Sequence, residues 1–503
     1  MKKSILLCLL SAAFLIFSFP RSNCWLLAWV GFVPLFFALE GKTKRQAFLL
    51  AFFTGVVFWA GIVYWLGNVT VIGTIVLILY LALYVGFFGL FLSTVYSLRS
   101  TVFIIFLPTI WVILEYLRSH LLTGFPWALL GYSQCNNLSI IQIADITGAY
   151  GVSFFIVMVN MAIYSAFSLQ LSAFSKIKKI IPCIICLICV LCYGFYKLSG
   201  LQSTVCGLRS MVKISVVQPN IAQELKWDAR AIDLILSKYS RITESAALDN
   251  PDLIVWPEAA SPGLLGEDGE IFEEISLLSE KIKIPLLIGA VARDAEDYFN
   301  TALLINSQGY IVQRYNKLHL VPFGEYIPLK KYFPFLQTIA PIGDITRGNE
   351  YTVFSLRSTV YGLRSNFAVL ICFEDVFPEI SREFVKRGAG FLVNITNDAW
   401  YKYTSAAYQH FQASVFRAVE NRVYIARSAN TGVSGFIAPS GKIISLVKDK
   451  ENENIFVDGF AAQEFSVPDK KDLSFYTKHG DVFVIACFLF ALCAIIALLK
   501  NKK

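Results

Sequence analysis

Charge is what this sequence has least of. Only 16% of its 503 residues are Asp, Glu, Lys or Arg, against about 25% in an ordinary soluble domain. The shortage excludes an average water-soluble chain. The net charge is +8, yet Lys and Arg form no single basic face or tail. They fall in short clusters between apolar runs, which excludes a nucleic-acid binder and fits the loops of a membrane protein. A signal-peptide cleavage site is also missing. Lys2 and Lys3 precede an apolar run, but no small-x-small pair follows it and Pro20–Arg21 interrupts its end. The N-terminus therefore reads as a retained anchor. Cys24 follows Arg21-Ser22-Asn23, which is not the small-residue context of a lipidated cysteine.

Several catalytic signatures are absent. There is no G-x-S-x-G elbow and no H-E-x-x-H pair, which removes the serine-hydrolase and zincin readings. No Gly-rich phosphate loop is present, and neither a metal nor a cofactor is expected. Cysteine is unevenly distributed. Most of the 11 lie in apolar segments. Cys183, Cys186, Cys189 and Cys192 recur every three residues among Ile, Leu and Val. That spacing drifts around a helix of 3.6 residues per turn, so they read as small apolar filler and not as cluster ligands. Residues 211 to 480 hold a single cysteine, Cys372. A lone thiol facing an oxidising compartment is unusual. It is either buried and inert or reactive.

Apolar runs dominate what is present. Eight can be read, at 4–19, 25–39, 47–66, 71–92, 102–118, 152–171, 180–196 and 481–499. A spanning helix needs about 20 residues, so the first two are short and the others reach or approach that length. Lys42, Lys44 and Arg45 follow the second run, Arg99 the fourth, Lys176, Lys178 and Lys179 the sixth, and Lys500, Lys502 and Lys503 the last. All four sets fall on one side, which the positive-inside rule makes cytoplasmic. The stretch between runs seven and eight then faces outward. The expected organisation is an N-terminal transmembrane domain over 1–197, an outward domain over 198–480, and a final helix with its tail over 481–503. A transporter would need ionisable residues within its membrane segments. These segments offer little beyond Glu115, near an end, which argues against an ion-coupled one.

The outward stretch has a different texture. Ile214–Val217, Leu253–Trp256, Leu286–Val291, Phe367–Cys372 and Phe391–Ile395 are short and rich in Ile, Val, Leu and Phe, as buried strands are. Stretches with helical spacing at 229–247, 270–282, 377–388 and 404–421 lie between them, which predicts a layered α/β domain. A near-repeat, STVYSLRS at 93–100, STVCGLRS at 203–210 and STVYGLRS at 358–365, lacks a solenoid's fixed period. It reads as an insertion tolerated in loops, so 203–210 and 355–365 are expected to be exposed and dispensable.

Three residue types end probable strands. Cys372 follows Phe367-Ala-Val-Leu-Ile371, Glu258 closes Leu253-Ile-Val-Trp-Pro-Glu258, and Lys317 follows Gly309–Tyr315. Catalytic groups collect at the carboxyl ends of strands in open α/β sheets. Taken singly, Glu258 also reads as a helix N-terminal charge and Lys317 as a surface lysine. Together, Trp256-Pro-Glu258, Tyr315-Asn-Lys317-Leu-His-Leu-Val-Pro-Phe-Gly-Glu325-Tyr-Ile-Pro328, Ile371-Cys-Phe-Glu374 and Asn394-Ile-Thr-Asn-Asp-Ala-Trp400 resemble the signature of the nitrilase superfamily. The several helices before an outward domain, one helix after it, and the loop Gly124-Phe-Pro-Trp127 with Gly131-Tyr-Ser-Gln134 are similar to one branch of it, the apolipoprotein N-acyltransferases. Trp400-Tyr-Lys402 departs from the Trp-Phe-Gly of many relatives, and Phe373 stands where they often have Tyr.

The resemblance implies a fold, a site and a reaction. The fold is an α-helical membrane bundle of about eight transmembrane helices plus an α/β nitrilase-like αββα sandwich. The site is Glu258 as general base, Lys317 on the oxyanion with a backbone N–H near Cys372, and Cys372 as nucleophile. Glu325 and Glu374 are implied as supporting acids, and Trp227 and Phe373 as substrate-binding residues. Glu325 and Glu374 also read as salt-bridged loop carboxylates, and Trp227 as core packing. The implied partners are a phospholipid acyl donor, the diacylglyceryl cysteine of an apolipoprotein as acceptor, and the bilayer. The implied setting is a bacterial inner membrane with the catalytic domain in the periplasm, and a monomer is expected. A membrane-tethered amidase with the same triad is the alternative, and its helices would be more than tethering needs. His319 and His410 offer a Cys–His pair of the papain kind, which explains less than the Glu–Lys–Cys spacing.

Overall fold

The computed structural model describes residues 1–96, 103–168, 173–203, 209–226, 228–328, 330, 345–357, 364–468 and 472–500. It forms two compact units. One comprises Met1–Thr204, Thr404–Glu420 and Ser474–Lys503, the other Val205–Tyr403 and Asn421–Leu473.

The first unit is helical. Lys44–Val63, Val71–Tyr96, Phe103–His120, Ala149–Phe167 and Ala173–Ser203 hold the five described stretches long and apolar enough to cross a membrane. Lys2–Phe17 has 16 residues. The run at 25–39 is interrupted: a short 3₁₀ turn at Trp25–Trp29 gives way to the seven-residue helix Val33–Leu39, with Pro34 in its first turn. With Val482–Lys500 at the far end, the apolar helical segments match the expected bundle. Thr43 opens Lys44–Val63 with a capping box, in which Thr43 and Gln46 satisfy each other's main-chain N–H. That helix packs closely against Val71–Tyr96 because Gly89 faces it. A Cβ there would lie 2.3 Å from that of Ala51, and small residues at such crossings let backbones approach.

The membrane carboxylate Glu115 has a structural task. Glu115 and Arg118 are each only 3% exposed. Glu115 Oε1 accepts from the Leu130 N–H at 2.7 Å, and Arg118 Nη1 donates to the carbonyls of Phe125 at 2.6 Å and Trp127 at 2.8 Å. The pair clamps the loop that the sequence singled out at 124–134. The helix Ala406–Asn421 contributes to this unit through Glu420. Its Gln409 Oε1 accepts from the indole N–H groups of Trp65 at 3.1 Å and Trp127 at 2.8 Å.

The second unit is a sandwich of two sheets. In the first, β13 (Gly459–Pro468), β1 (Arg209–Gln218), β2 (Leu253–Val255), β4 (Leu286–Asp294), β5 (Asp297–Ile305) and β6 (Ile311–Asn316) lie in that order, with β3 (Leu264–Leu265) paired to β4. In the second the order is β12 (Ile443–Leu446), β11 (Gly435–Ile437), β10 (Tyr424–Ala429), β9 (Phe391–Thr396), β8 (Arg364–Ile371), β7 (Phe354–Arg357). The parallel pairs β1–β2, β2–β4, β8–β9 and β9–β10 are the continuous apolar runs of the sequence, as strands covered on both faces should be. Ser428 Oγ on β10 donates to the Val217 carbonyl at 2.7 Å and so ties the sheets together. Ile232–Ala247 and Gly269–Ile282 cover the first sheet with Ile235, Tyr239, Ile242, Phe272 and Ile275, packed on Ile254, Trp256, Leu286 and Ile288. Each fully buried side chain of this kind contributes about 1.5–3 kcal/mol.

The repeat is not wholly loop, which corrects the expectation for 203–210 and 355–365. Residues 204–208 and 358–363 lie outside the described residues. The flanks are structured: Arg209 and Ser210 begin β1, Ser355–Arg357 pair with Arg364–Asn366 across β7 and β8, and Leu356 and Ser365 are each 3% exposed. In the 358–365 copy Arg364 is exposed and Ser365 buried, as alternate strand positions are, so its last residues continue β8 instead of bulging out.

Candidate active site

The three strand ends converge. Glu258 follows β2, Lys317 follows β6 directly and Cys372 follows β8 directly. Gly289 on β4 makes room for Glu258. Its N–H donates to the Pro257 carbonyl at 3.2 Å, and a Cβ there would lie 2.4 Å from that oxygen and 2.6 Å from the Glu258 Cα. The Lys317 N–H donates to the Asn300 carbonyl at 2.9 Å, which pins the lysine to β5.

Lys317 is 1% exposed and its ammonium lies between two carboxylates, 3.3 Å from Glu258 Oε1 and 3.0 Å from Glu325 Oε1. Asn300 Nδ2 donates to the same two oxygens at 2.8 and 2.7 Å. The other oxygen of Glu258 accepts from the Asn397 N–H at 3.0 Å, and that of Glu325 from the Val321 N–H at 2.8 Å. Burial works to strip the Lys317 proton, but the charges of Glu325 and Glu258 outweigh it and hold the ammonium well above the ordinary lysine range. It is a fixed positive charge.

Cys372 is 8% exposed and has a left-handed φ of +53°. Such strain in a non-glycine residue costs on the order of 1–3 kcal/mol and collects at functional sites. Burial pushes the thiol well above its usual range, and Glu258 adds to that while Lys317 opposes it. A resting thiolate is therefore disfavoured, and the proton must leave as the sulfur attacks, which demands an adjacent base. Behind the cysteine, Asn394 Nδ2 donates to the Leu370 carbonyl at 3.1 Å and the Cys372 carbonyl at 3.4 Å. Arg427 Nη1 donates to Asn394 at 2.6 Å and Asp375 at 2.8 Å, so the turn rests on a fully buried network.

Glu374 joins the lysine loop to the cysteine turn. Its Oε1 accepts from Tyr315 Oη at 2.8 Å, the Leu318 N–H at 2.6 Å and the His319 N–H at 3.1 Å, and its Oε2 from the Ile371 N–H at 2.7 Å. Burial raises it to about 7, against the pull of these donors and of Lys317. A carboxyl whose folded pKa exceeds its unfolded value binds its proton more tightly when folded. Stability at this group is therefore greatest below about 4.5 and falls, by up to about 3 kcal/mol, as pH rises through 7. Glu374→Gln should flatten the thermal-unfolding midpoint between pH 5 and 8. It should also slow acylation on the order of 100-fold, because an amide nitrogen would face a main-chain N–H and shift one of the two turns. A wild-type pH profile of stability in this variant would refute the assignment.

Phe373 is buried and packs edge-on against Phe377 at 5.2 Å. Trp227 lies outside the described residues. The histidines take other roles. His319 stacks on Phe377 at 3.8 Å and is held neutral, its pKa pulled to about 4 by burial, Lys317 and Arg347. His410 belongs to the helical unit and packs on Trp127 at 5.3 Å. Asn300 and Lys226 were not singled out from sequence. The signal for Asn300 was an amide inside an apolar strand, where Asn is depleted.

Known proteins resemble this chain over its full length. Residues 11–162 match the family model for the apolipoprotein N-acyltransferase N-terminal domain, and residues 213–458 that for carbon-nitrogen hydrolase. An apolipoprotein N-acyltransferase from Geobacter metallireducens is 36% identical over 100% of this chain and 96% of its own. One from Chlorobaculum tepidum is 29% identical over 100% and 98%. A solved amidase of the nitrilase superfamily, from Nesterenkonia AN1, is 18% identical over 56% of this chain and 100% of its own, with a TM-score of 0.40. With full-length similarity at this level joined to apolar helices and a two-sheet unit, the chain belongs to the apolipoprotein N-acyltransferase family.

Proposed function

We propose that this chain is a phospholipid-dependent N-acyltransferase working through a thioester on Cys372. Glu258 takes the thiol proton as the sulfur attacks the ester carbonyl of a phospholipid. Lys317 stabilises the oxyanion of the tetrahedral intermediate. Collapse expels the lysophospholipid alkoxide, which takes the proton back from Glu258, and leaves the acyl group on sulfur. The α-amine of a diacylglyceryl cysteine at a lipoprotein N-terminus then attacks the thioester. Glu258 removes the amine's proton, an amide forms and the thiol is restored. Glu325 and Glu374 hold the lysine and the cysteine turn, and Phe373 and Trp227 meet the acyl chain. Residues 1–197 and 481–503 anchor the chain as a monomer in the bacterial inner membrane, with 198–480 on the periplasmic side, as the basic loops require.

The observation that carries this reading is the buried Lys317 ammonium, bracketed by Glu258 and Glu325 and near enough to Cys372 to act on its charge. Its setting in a chain with membrane helices favours lipid substrates over small amides. The test uses the purified full chain with a phospholipid labelled in its acyl chain and a peptide bearing diacylglyceryl cysteine. The expected result is label in an amide on the peptide, with one lysophospholipid released per acyl group transferred. Hydrolysis of small amides without acylation of the peptide would replace this reading with the tethered amidase.

A further inference from the structure

The active site is rich in carboxyl groups. Glu258 and Glu325 share one ammonium, that of Lys317, and Glu374 lies near enough to act on it, while Asp375 and Asp398 both pair with the guanidinium of Arg427. Around Lys317 there is more acid than base. Cys372 must pass through a thiolate-like sulfur in the same space, and Glu258 and Asp398 already oppose its ionisation. Tyr401, half-buried, adds a phenol whose proton desolvation and the charges of Cys372, Asp398 and Glu258 hold in place. Lys317 alone does not neutralise this surplus.

A second lysine is placed to do so. Lys226 is 4% exposed and follows the short turn Gln223–Leu225. Its Nζ donates to the main-chain carbonyl of Glu258 at 2.9 Å. Among the described residues no carboxylate lies within ion-pair distance of it. A buried ammonium without a partner carboxylate is costly and persists where surrounding negative charge compensates it. Here that charge is Glu258 and Cys372, both of which act on it. An ammonium has three N–H donors, and the Glu258 carbonyl uses one.

We propose that Lys226 is a second active-site cation, a positioning residue that fixes the Glu258 main chain and offsets the carboxylate surplus so that Cys372 can give up its proton. Burial pulls the Lys226 ammonium down to about 8 while Glu258 and Cys372 pull it back, so its charge is present at neutral pH and fades above that value. The inference rests on Cys372 as the nucleophile and requires no particular acyl acceptor.

The test is the pH dependence of Cys372 alkylation by iodoacetamide in the full chain, followed on the Cys372 peptide by mass spectrometry. Lys226→Met keeps the length of the side chain and removes the charge; Lys226→Arg keeps the charge. At pH 7, where Lys226 is charged, the methionine variant should be alkylated about tenfold more slowly than wild type, and the difference should shrink above about pH 8 as the wild-type charge fades. The arginine variant should keep the wild-type rate at pH 7. A methionine variant with the wild-type pH dependence between about pH 6 and 9, whatever its absolute rate, would overturn the proposal and leave Lys226 a packing residue. Should Lys226→Met not fold, Lys226→Gln answers the same question. Alkylation needs no lipid, so a chain that passes this test yet transfers no acyl group refutes the acyltransferase reading and leaves this one standing.

Discussion

Cys372→Ser should stop acyl transfer, with a fall on the order of 10⁵-fold or more in the acylation step. Wild-type protein incubated with phospholipid alone should gain the mass of one acyl group, and hydroxylamine should remove it. The serine variant should gain nothing. The reason lies in how little the site does to stabilise a resting anion. Burial raises even the thiol well above its usual range, and a hydroxyl starts several units higher still. Glu258 cannot bridge that larger gap in one proton transfer. The fold should survive, because the left-handed φ of +53° belongs to the backbone and the Asn394 bonds go to main-chain carbonyls. The unfolding midpoint should therefore stay near wild type while the adduct disappears. An adduct that persists in the serine variant, or that maps to a different residue in wild type, would remove Cys372 from the centre of the reaction.

Where a feature is written along one stretch of chain, the sequence displayed it. Buried β2, β8 and β9 were visible as uninterrupted apolar runs, and the three strand ends named Glu258, Lys317 and Cys372 before any geometry existed. Features made by pairing distant stretches were not visible. Asn300 reaches both carboxylates because β5 lies beside β4 and β6 in a particular register, and nothing in Asp297–Ile305 announces that register. Lys226 looked like one more basic residue beside a tryptophan, since its burial comes from the fold around it. The helix Ala406–Asn421 has ordinary helical spacing, but spacing does not say which unit it joins. Its Gln409 finds Trp65 and Trp127 from hundreds of positions away. The run at 25–39 was legible as short, and the break at Gly31 to Pro34 explains why: those residues cannot continue one helix cleanly.

Lys317→Met should be the most damaging single change that leaves the nucleophile in place. Two carboxylate oxygens, one from Glu258 and one from Glu325, share the Asn300 amide at 2.8 and 2.7 Å and the Lys317 ammonium at 3.3 and 3.0 Å. Without the ammonium they face each other across a single amide in a buried site. Breaking a buried pair from one side costs about 3–5 kcal/mol, so the unfolding midpoint at pH 8 should drop measurably. Catalysis suffers as well, because the oxyanion loses its cation, worth on the order of 10²–10³-fold. Lys317→Arg should not restore the rate, because a planar guanidinium cannot occupy a slot shaped for a compact ammonium that is 1% exposed. Thermal unfolding at pH 8, set beside pre-steady-state acylation, separates the loss of stability from the loss of rate. A methionine variant as stable as wild type at pH 8 would mean that Lys317 does not hold the carboxylates together, and the electrostatic account of the site would fail with it.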